Sequence, residues 1–337
     1  MQLTSKPSSR ATSLWRALLV FVLPAFTVLP PAIAKGGYTI TDLGTLPGGA
    51  ISQATGINDR GQVVGYADTA TGSHAFLYEN GVMTDLGTLG GTESEAYAIN
   101  KHGQVVGNAQ TNIGGMHAFL YDHGVMTDLG TLPGGSMSYA TAINDRGQVA
   151  GYSNTSTGAY HAFVLDHGVM TDLGTLPGGV YFSGAYGIND HGRVVGQSNT
   201  SSYDHAFLFD DGVMRDLGSL AGYQSSANAI NEHGRVVGSS YAVDQNNHAV
   251  MWKDGVIADL GTLVIGSFSI AYAINHHEQV VGTAGTGTGT HGFLFEDGVM
   301  KDLGALPGDQ YSDAKGINDH GQVVGSSGLH AVLWNPR

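Results

Sequence analysis

One unit of about 43 residues occurs seven times along this chain, and this repetition constrains the fold more than any other feature. The tripeptide Asp-Leu-Gly returns every 43 or 44 residues, and an Ile-Asn pair and a histidine-led triplet follow it in the same order in every copy. Little sequence between residue 38 and the C-terminus lies outside these copies. The chain therefore has no room for a separate catalytic domain.

Three residue types mark each copy at fixed positions. The aspartates are Asp42, Asp85, Asp128, Asp172, Asp216, Asp259 and Asp302. The asparagines are Asn58, Asn100, Asn144, Asn189, Asn231, Asn275 and Asn318. The histidines are His74, His117, His161, His205, His248, His291 and His330. A catalytic site is single, whereas a residue present in every copy meets a demand of folding. We therefore predict structural roles for the histidines and aspartates, and turn formation by the asparagines.

Each copy contains four short segments rich in β-branched and aromatic residues, separated by Gly, Asn, Asp or Ser. No segment after residue 35 has helical periodicity over ten residues. We predict an all-β, seven-bladed β-propeller with four-stranded blades, in preference to a solenoid or a sandwich. The chain starts with an unpaired fourth strand at 38–43 and stops after a seventh third strand at 330–334. The N-terminal strand is thus expected to complete the last blade and close the ring.

The turns of each copy can be predicted as well. The Asn-Asp-Arg-Gly segment at 58–61 suits a type I turn followed by a left-handed glycine. We expect the same three-residue loop at 78–82. In that register His74 and Asp85 point to opposite faces of the sheet, so that each could meet only a residue of a neighbouring blade. The sixth copy has Glu278 in place of the turn glycine, which predicts a distorted turn.

The first 34 residues have the pattern of a cleaved signal peptide. They contain three cations and no acid, an apolar run at 17–29, and Ala-Ile-Ala at 32–34. The apolar run is interrupted by Pro24 and is too short to span a membrane, which takes about 20 residues. We predict export, to a periplasm or to the extracellular medium, of a mature chain that begins at Lys35. No second hydrophobic span follows, so this mature chain is expected to have no transmembrane segment.

The repeats resemble a known family. The His-Ala-Phe triplets, with Asp-Leu-Gly-Thr-Leu and Ile-Asn-Asp-x-Gly-Gln-Val-Val-Gly, are similar to those of the HAF-repeat family of exported bacterial proteins. The resemblance covers residues 38–337 and implies a periplasmic or extracellular location, without an established activity. Four positions depart from the pattern: Val250 and Val332 replace Phe, Gly292 replaces Ala, and Ala150 replaces Val.

Composition limits the chemistry. The chain has 28 acidic and 14 basic residues, a net charge of -14 and no cysteine. It therefore lacks the basic surface that nucleic-acid binding needs, and it has no thiolate for catalysis or metal binding. The other histidines fall in hairpin turns: His102, His123, His167, His191, His233, His276, His277 and His320. None has ligand spacing that supports a metal site. We predict no metal and no cofactor.

Two loops per blade vary between copies, and both are expected on the face opposite the hairpin turns. They are rich in Ser, Thr, Asn and Gly, poor in cations, and accompanied by aromatic residues, which is a composition suited to sugar rings or to protein partners. The predicted ligand-binding residues are Tyr97, Tyr139, Tyr181, Tyr223, Phe268 and Tyr311. The alternative is that these rings only fill gaps between blades.

We therefore predict a non-catalytic binding module for a neutral carbohydrate or for an envelope or extracellular protein. The scarcity of cations in the variable loops disfavours acidic polysaccharides, which are usually held by arginine or lysine. A hydrolase or lyase assembled from several loops, and a purely structural surface protein, are the competing classes.

Overall fold

The computed structural model describes Met1, residues 32–33 and residues 37–337, and over these residues it contains β-strands and no α-helix. Seven antiparallel sheets form the blades of a ring, so the chain is a seven-bladed β-propeller as predicted. Within each of blades one to six the strands follow one another in chain order from the central channel outward. The first strand lines the channel and the fourth lies at the rim.

The strands are assigned to blades as follows. Blade one contains β3 (Ser52–Ile57), β4 (Val63–Asp68), β5 (Ser73–Glu79) and β6 (Val82–Asp85). Blade two contains β7 (Gly90–Ile99), β8 (Val105–Thr111), β9 (Met116–Asp122) and β10 (Val125–Asp128). Blade three contains β11 (Ser138–Ile143), β12 (Val149–Asn154), β13 (Tyr160–Asp166) and β14 (Val169–Asp172). Blade four contains β15 (Ser183–Ile188), β16 (Val194–Asn199), β17 (Asp204–Asp210) and β18 (Val213–Asp216).

The last three blades repeat the plan. Blade five contains β19 (Ser225–Ile230), β20 (Val236–Tyr241), β21 (Asn247–Lys253) and β22 (Val256–Asp259). Blade six contains β23 (Ser269–Ile274), β24 (Val280–Gly285), β25 (Thr290–Glu296) and β26 (Val299–Asp302). Blade seven contains β27 (Ser312–Ile317), β28 (Val323–Ser327) and β29 (His330–Pro336) from the C-terminus, and β2 (Tyr38–Asp42) from the N-terminus.

Blade seven closes the ring with both ends of the chain, as the sequence predicted. Strand β2 pairs with β29 in antiparallel register from Tyr38 opposite Pro336 to Asp42 opposite Val332. A two-residue strand, β1 (Ala32–Ile33), pairs with the outer edge of β2. The predicted signal peptide, residues 1–34, lies outside the described residues except for Met1 and this pair.

The turn between the first two strands has the predicted conformation. The Gly61 N–H donates to the Asn58 carbonyl at 3.0 Å, and Gly61 has a φ of +74°, which makes a type I turn with a left-handed glycine. The predicted distortion of the sixth copy is wrong. Glu278 donates the same hydrogen bond to Asn275 at 3.2 Å and takes the left-handed conformation itself, with a φ of +60°. The ring imposes the turn on a residue that disfavours it.

The turn between the third and fourth strands differs from the prediction. Glu79 pairs with Val82, so the loop contains only Asn80 and Gly81, and their φ values are +52° and +81°. Positive φ at both central positions is the signature of a two-residue type I′ turn. The same pair of positive angles recurs in the other five internal turns of this kind, where His or Asp precedes Gly. The expected three-residue loop is therefore wrong, and the register of the fourth strand shifts by one residue.

The glycine of Val-Val-Gly is required by a close approach of two strands. A Cβ on Gly65 would lie 1.9 Å from the carbonyl oxygen of Gln53 on the neighbouring innermost strand. The innermost strand carries a register shift between Ala54 and Gly56, which brings its backbone against the second strand. Equivalent glycines meet the same carbonyl at 1.9 to 2.0 Å in the other six blades.

The core lies between neighbouring blades. The phenylalanine of the histidine-led triplet is fully buried in the five blades that have it: Phe76, Phe119, Phe163, Phe207 and Phe293. In blades five and seven Val250 and Val332 take its place, and both blades have a buried tryptophan two residues later, Trp252 and Trp334. The larger ring fills the volume that the smaller valine leaves, which keeps the interior close-packed.

Candidate functional site

The strand turns divide the ring into two faces with different character. The hairpin face carries the turns at 58–61 and 80–81 and their counterparts in the other blades. The loop face, at the opposite end of the strands, carries the loops between second and third strands and the connections between blades. These connections and loops are the variable segments of the repeat.

The repeated histidine and aspartate are bonded to each other within one blade. His74 Nδ1 lies 2.8 Å from Asp85 Oδ2, and all seven copies make the equivalent contact at 2.7 to 3.0 Å. The prediction that His74 and Asp85 point to opposite faces is wrong. Because the turn has two residues rather than three, Phe76 pairs with Asp85 and the two side chains lie diagonally on one face.

This pair belongs to a chain of hydrogen bonds that links each blade to the next. Asp85 Oδ1 accepts from the Gly87 N–H at 2.7 Å, and Ser94 of blade two donates to the Gly87 carbonyl at 2.6 Å. The Ser94 hydroxyl in turn accepts from the Ala75 N–H at 2.8 Å. The arrangement orders the connection between blades, and it accounts chemically for the histidine, the Asp-Leu-Gly tripeptide and the serine of every copy. The structural role of the repeated histidines and aspartates remains a prediction.

The repeated asparagines form a closed ring around the channel at the hairpin face. The Asn144 Nδ2 donates to the Asn189 carbonyl of the next blade at 2.9 Å, and its Oδ1 accepts from backbone N–H groups of its own turn. Six equivalent bonds connect the other blades, ending with Asn318 to Asn58. The asparagines form the predicted turns and, in addition, join neighbouring blades. All of them except Asn189 line a cavity of about 260 Å³ at this end of the channel.

On the loop face, two of the predicted ligand-binding residues lie on innermost strands rather than in loops. Tyr97 lies on β7, and its hydroxyl donates to Glu95. Tyr139 lies on β11, where its ring stacks on Tyr152 with centroids 4.9 Å apart. Burial raises the pKa of Tyr152 to about 12. These half-buried rings pack against their neighbours, as the gap-filling alternative expects.

In addition to burial, the nearby carboxylate of Glu95 raises the pKa of the Tyr97 and Tyr66 hydroxyls. Burial raises the pKa of Tyr97, and the hydrogen bond and charge of Glu95 raise it further. Burial, followed by the charges of Glu95 and Asp313, raises the pKa of Tyr66. In blade seven Lys315 lies 3.6 Å from the centroid of the Tyr272 ring and 3.5 Å from Asp313. This cation is thus held by a ring and a carboxylate.

The other predicted ligand-binding residues lie in the connections and are more exposed. The exposed fractions are 75% for Tyr181, 58% for Tyr311 and 46% for Tyr223, whereas Phe268 is half-buried. Tyr223 makes edge contacts with Tyr203 at 5.3 Å and with Tyr241 at 5.8 Å. Neither Tyr203 nor Tyr241 is among the residues predicted from the sequence to bind a ligand. Tyr203 could have been found, because the other copies have Gly, Ala or Asn at its position.

An acidic side chain of the loop face is bonded within its own loop. Asp244 accepts from the Asn246 N–H at 3.1 Å, which lowers its pKa, and it lies 3.1 Å from His248 Nε2. His248 therefore has a carboxylate on each ring nitrogen, Asp259 and Asp244. Burial alone would lower the pKa of His248, but the two carboxylates outweigh it and raise the pKa.

Two further features concern the described residues only. Nowhere among them do three or more His, Asp or Glu side chains come together in a way that could hold a metal ion. Within the same part of the chain, no helix has the length and apolarity required to cross a membrane.

The likeness to known proteins is one of fold. No protein-family model matches the chain, and no curated protein matches it. Among solved structures, a puromycin-hydrolysing peptidase from Mycobacterium tuberculosis superimposes with a TM-score of 0.59 at 12% identity, over 85% of this chain and 50% of that one. The β-propeller domain of the Trilobed protease from Pyrococcus furiosus gives a TM-score of 0.53 at 12% identity, over 77% and 85% of the two chains.

A third similar structure is TolB from Acinetobacter baumannii, with a TM-score of 0.50 at 10% identity, over 82% of this chain and 64% of that one. The chain thus spans less than two thirds of the length of TolB and half that of the peptidase. The Pyrococcus domain is described as having an open velcro topology. Here, by contrast, β2 and β29 close the ring. Identities this low support the propeller fold and carry no activity across.

Proposed function

We propose that this protein is an exported binding module whose ligand lies on the loop face. The observation that carries the proposal is the exposure of Tyr181, Tyr311 and Tyr223 there, in connections that differ between copies. A tyrosine ring that is about half exposed or more is available to a partner, and it brings a large rigid apolar surface with a polar tip. The hairpin face, by contrast, is built from the recurring turn asparagines and glycines.

A neutral carbohydrate is the proposed ligand. A sugar ring has an apolar face that stacks on an aromatic ring and a rim of hydroxyls that bonds to neutral side chains. The variable loops supply serine, threonine and asparagine, and Lys315, the cation on the innermost strands, is paired with Asp313. Acidic sugars and phosphorylated ligands need arginine or lysine groups that are free to bind them.

A protein partner is the second candidate, and a separate observation favours it. Aliphatic side chains at the loop tips are almost fully exposed: 86% for Ile113, 88% for Val243 and 100% for Ile265. The loops of Val243 and Ile265 contact each other, because Asn246 Nδ2 donates to the Gly266 carbonyl at 3.4 Å, and neighbouring exposed apolar groups are typical of surfaces that bind another protein. The carbohydrate and the protein partner would both bind to the loop face, and they differ in the kind of molecule that contacts it.

Export is proposed from the signal-peptide pattern of residues 1–34, in agreement with the resemblance to the exported HAF-repeat family. The alanine pair at 32 and 34 gives the small residues that a signal peptidase needs at its cleavage site. Cleavage after Ala34 would leave Tyr38 and the rest of β2 in the mature chain, so closure of the ring is compatible with processing. N-terminal sequencing of the protein recovered outside the cytoplasm tests the site.

The function is tested by screening the purified protein against a panel of neutral and acidic glycans. We expect saturable binding to a neutral glycan that free ligand competes, and its loss when Tyr181, Tyr223 and Tyr311 are all changed to alanine. The matched control changes the exposed Val82, Val125 and Val169 of the fourth strands to alanine, which should leave binding intact.

Each other outcome has a definite meaning. Absence of glycan binding, together with specific capture of one envelope protein that the triple tyrosine variant no longer captures, would replace the carbohydrate with a protein partner. Binding that survives the triple variant but is lost in the valine control would move the site away from the loop face.

A further inference from the structure

A pocket lies over blade four on the loop face, between the connections that enter and leave that blade. Its volume is about 460 Å³, and its lining comes from Leu176 and Pro177, from Thr200, Ser202 and Tyr203, and from His205, Asp216 and Gly222. Ligand pockets of proteins usually measure about 300 to 1,000 Å³. The pocket is therefore large enough for one sugar ring, and it is much too small for a folded domain.

One wall of the pocket is aromatic, and its key residue is specific to this copy. Tyr203 is 41% exposed and makes an edge contact with Tyr223, which is 46% exposed. Two residues before the repeated histidine, the other copies have Gly72, Gly115, Ala159, Asn246, Gly289 and Gly328. The fold thus needs no large side chain at this position, and the ring of Tyr203 is not explained by the repeat.

The loop that carries Tyr203 is ordered by its own hydrogen bonds. The Thr200 hydroxyl donates to the Tyr203 carbonyl at 2.7 Å and accepts from the N–H groups of Ser202 and Tyr203, each at 3.2 Å. A ring that is held in place before the ligand arrives loses little conformational entropy on binding.

His205 provides a hydrogen-bond acceptor that the protein does not use. Its Nδ1 lies 2.8 Å from Asp216, so in the neutral ring the proton lies on Nδ1 and Nε2 is an acceptor. Nε2 is buried and has no hydrogen-bond partner in the protein. Among the seven repeated histidines only His205 has this property, and in blade five the corresponding nitrogen of His248 contacts Asp244. A buried acceptor without a donor is costly, and a ligand hydroxyl would remove that cost.

We propose that this pocket is a subsite for one neutral sugar ring, which stacks on Tyr203 and donates a hydroxyl to His205 Nε2. The inference rests on the proposed function and deepens it by placing the ligand at one blade. The only charged side chain in the lining is Asp216, which already bonds His205 and the Gly218 N–H. The carboxylate would repel an anionic ligand, and no lysine or arginine in the lining would attract it. A neutral polyol has no charge to be repelled.

The test compares single substitutions for binding of the glycan selected by the panel and of simple methyl glycosides. Tyr203→Gly, which installs the residue that four other copies have, should weaken binding at least tenfold, and Tyr203→Phe should retain it because stacking needs only the ring. Val82→Ala, at an exposed fourth-strand position of blade one, should bind as the unsubstituted protein does. Thermal unfolding of every variant controls for folding.

A second pair of variants tests the histidine. His205→Gln and His117→Gln remove the same repeated contact in blades four and two, so their effects on stability should be similar. Only His205→Gln should also weaken sugar binding. If it affects stability alone, His205 has no part in binding and that element of the proposal is overturned.

The remaining outcomes separate the two proposals. Sugar binding that is unchanged in Tyr203→Gly overturns the subsite while leaving the carbohydrate-binding function intact. Failure of every glycan and methyl glycoside to bind overturns the subsite, and capture of an envelope protein through the loop tyrosines would then keep the loop face as a binding surface.

Discussion

Asp42 and His330 are separated by 288 residues in the chain and are bonded at 2.8 Å in blade seven. In the other six blades the same histidine and aspartate are 11 residues apart, on strands joined by a two-residue turn. The contact is chemically the same in every blade, but only in blade seven does it connect the two ends of the polypeptide. It therefore contributes to ring closure there, in addition to local order.

Asp42→Ala is expected to destabilise the protein more than Asp128→Ala, its counterpart in blade two. Both substitutions remove a histidine contact and a bond to a backbone N–H. Each should cost about 1 to 3 kcal/mol, as is usual for hydrogen bonds to a charged group. In blade seven no covalent turn holds the strands together, so local opening there is easier. Thermal unfolding and hydrogen exchange of β2 and β29 measure the difference, and equal effects in both variants would argue against a special role in closure.

Asn144→Asp tests the asparagine ring. The substitution keeps the acceptor for the turn N–H groups but replaces the Nδ2 donor, which faces the Asn189 carbonyl and Gln148 Oε1 at 2.9 and 2.7 Å. A buried carboxylate facing two oxygens is unfavourable, and we expect a loss of about 2 to 4 kcal/mol in the free energy of unfolding. Chemical denaturation is the measurement. Asn112→Asp in an exposed loop is the control, and an equally small effect at both positions would exclude a stabilising role for the ring.

The left-handed backbone conformation of Glu278 is expected to lower the stability of the folded protein. Glu278→Ala keeps a non-glycine residue at a φ of +60° and also removes the contact of the carboxylate with Arg235 at 3.1 Å. Glu278→Gly removes the same contact but relieves the left-handed strain. We therefore expect the glycine variant to be more stable than the alanine variant by about 1 kcal/mol. Denaturant unfolding of the two variants measures this difference. An alanine variant that is more stable than the glycine variant would contradict the prediction.

The pair of His248 and Asp244 should make stability depend on pH. The pKa of His248 is raised above 6.5 in the folded protein. Its contribution to folding stability is therefore present at low pH and is lost as pH rises through the raised pKa. The pKa of Asp244 is lowered below 3.8, so its contribution is lost as pH falls through the lowered value. The pair therefore contributes most at pH values between these two limits.

Asp244→Asn is the corresponding variant. It should lower the pKa of His248 in an NMR titration, and its deficit in unfolding free energy should be larger near pH 5.5 than near pH 8. Asp309→Asn serves as the control, because Asp309 also lies on the loop face but accepts from the Ser327 hydroxyl instead of contacting His248. An unchanged pKa of His248 in the Asp244 variant would show that Asp259 alone sets its titration.

Much of the fold was predictable because the repeat makes every local signal appear seven times. Strand order, closure by the N-terminal strand and the type I turn at 58–61 follow from spacing and from turn chemistry. The turn at Asn80 and Gly81 was mispredicted although an Asn-Gly pair is a known signal for a two-residue type I′ turn. That single-residue error reversed the orientation of Asp85 relative to His74, because side chains in a strand alternate between faces.

The candidate site was predictable only in part. Composition indicated aromatic residues on the variable face, and Tyr181, Tyr223 and Tyr311 are exposed there. Tyr97 and Tyr139 are half-buried because they lie on the innermost strands, whose side chains pack against neighbouring blades. The sequence did not show which rings are exposed and which are packed in this way. Tyr203 was available as a departure from the repeat, but its significance depends on its contact with Tyr223.

The sequence by itself determined the number of blades, the strand order and the place where the chain ends meet, since these follow from periodicity. Only the tertiary structure decided which side chains meet across strands and between blades. It joined His330 to Asp42, placed Nδ2 of each asparagine against the next blade, and left Nε2 of His205 without a donor. Contacts of this kind depend on register and on three-dimensional packing, which bring together atoms whose separation along the chain gives no hint of their proximity.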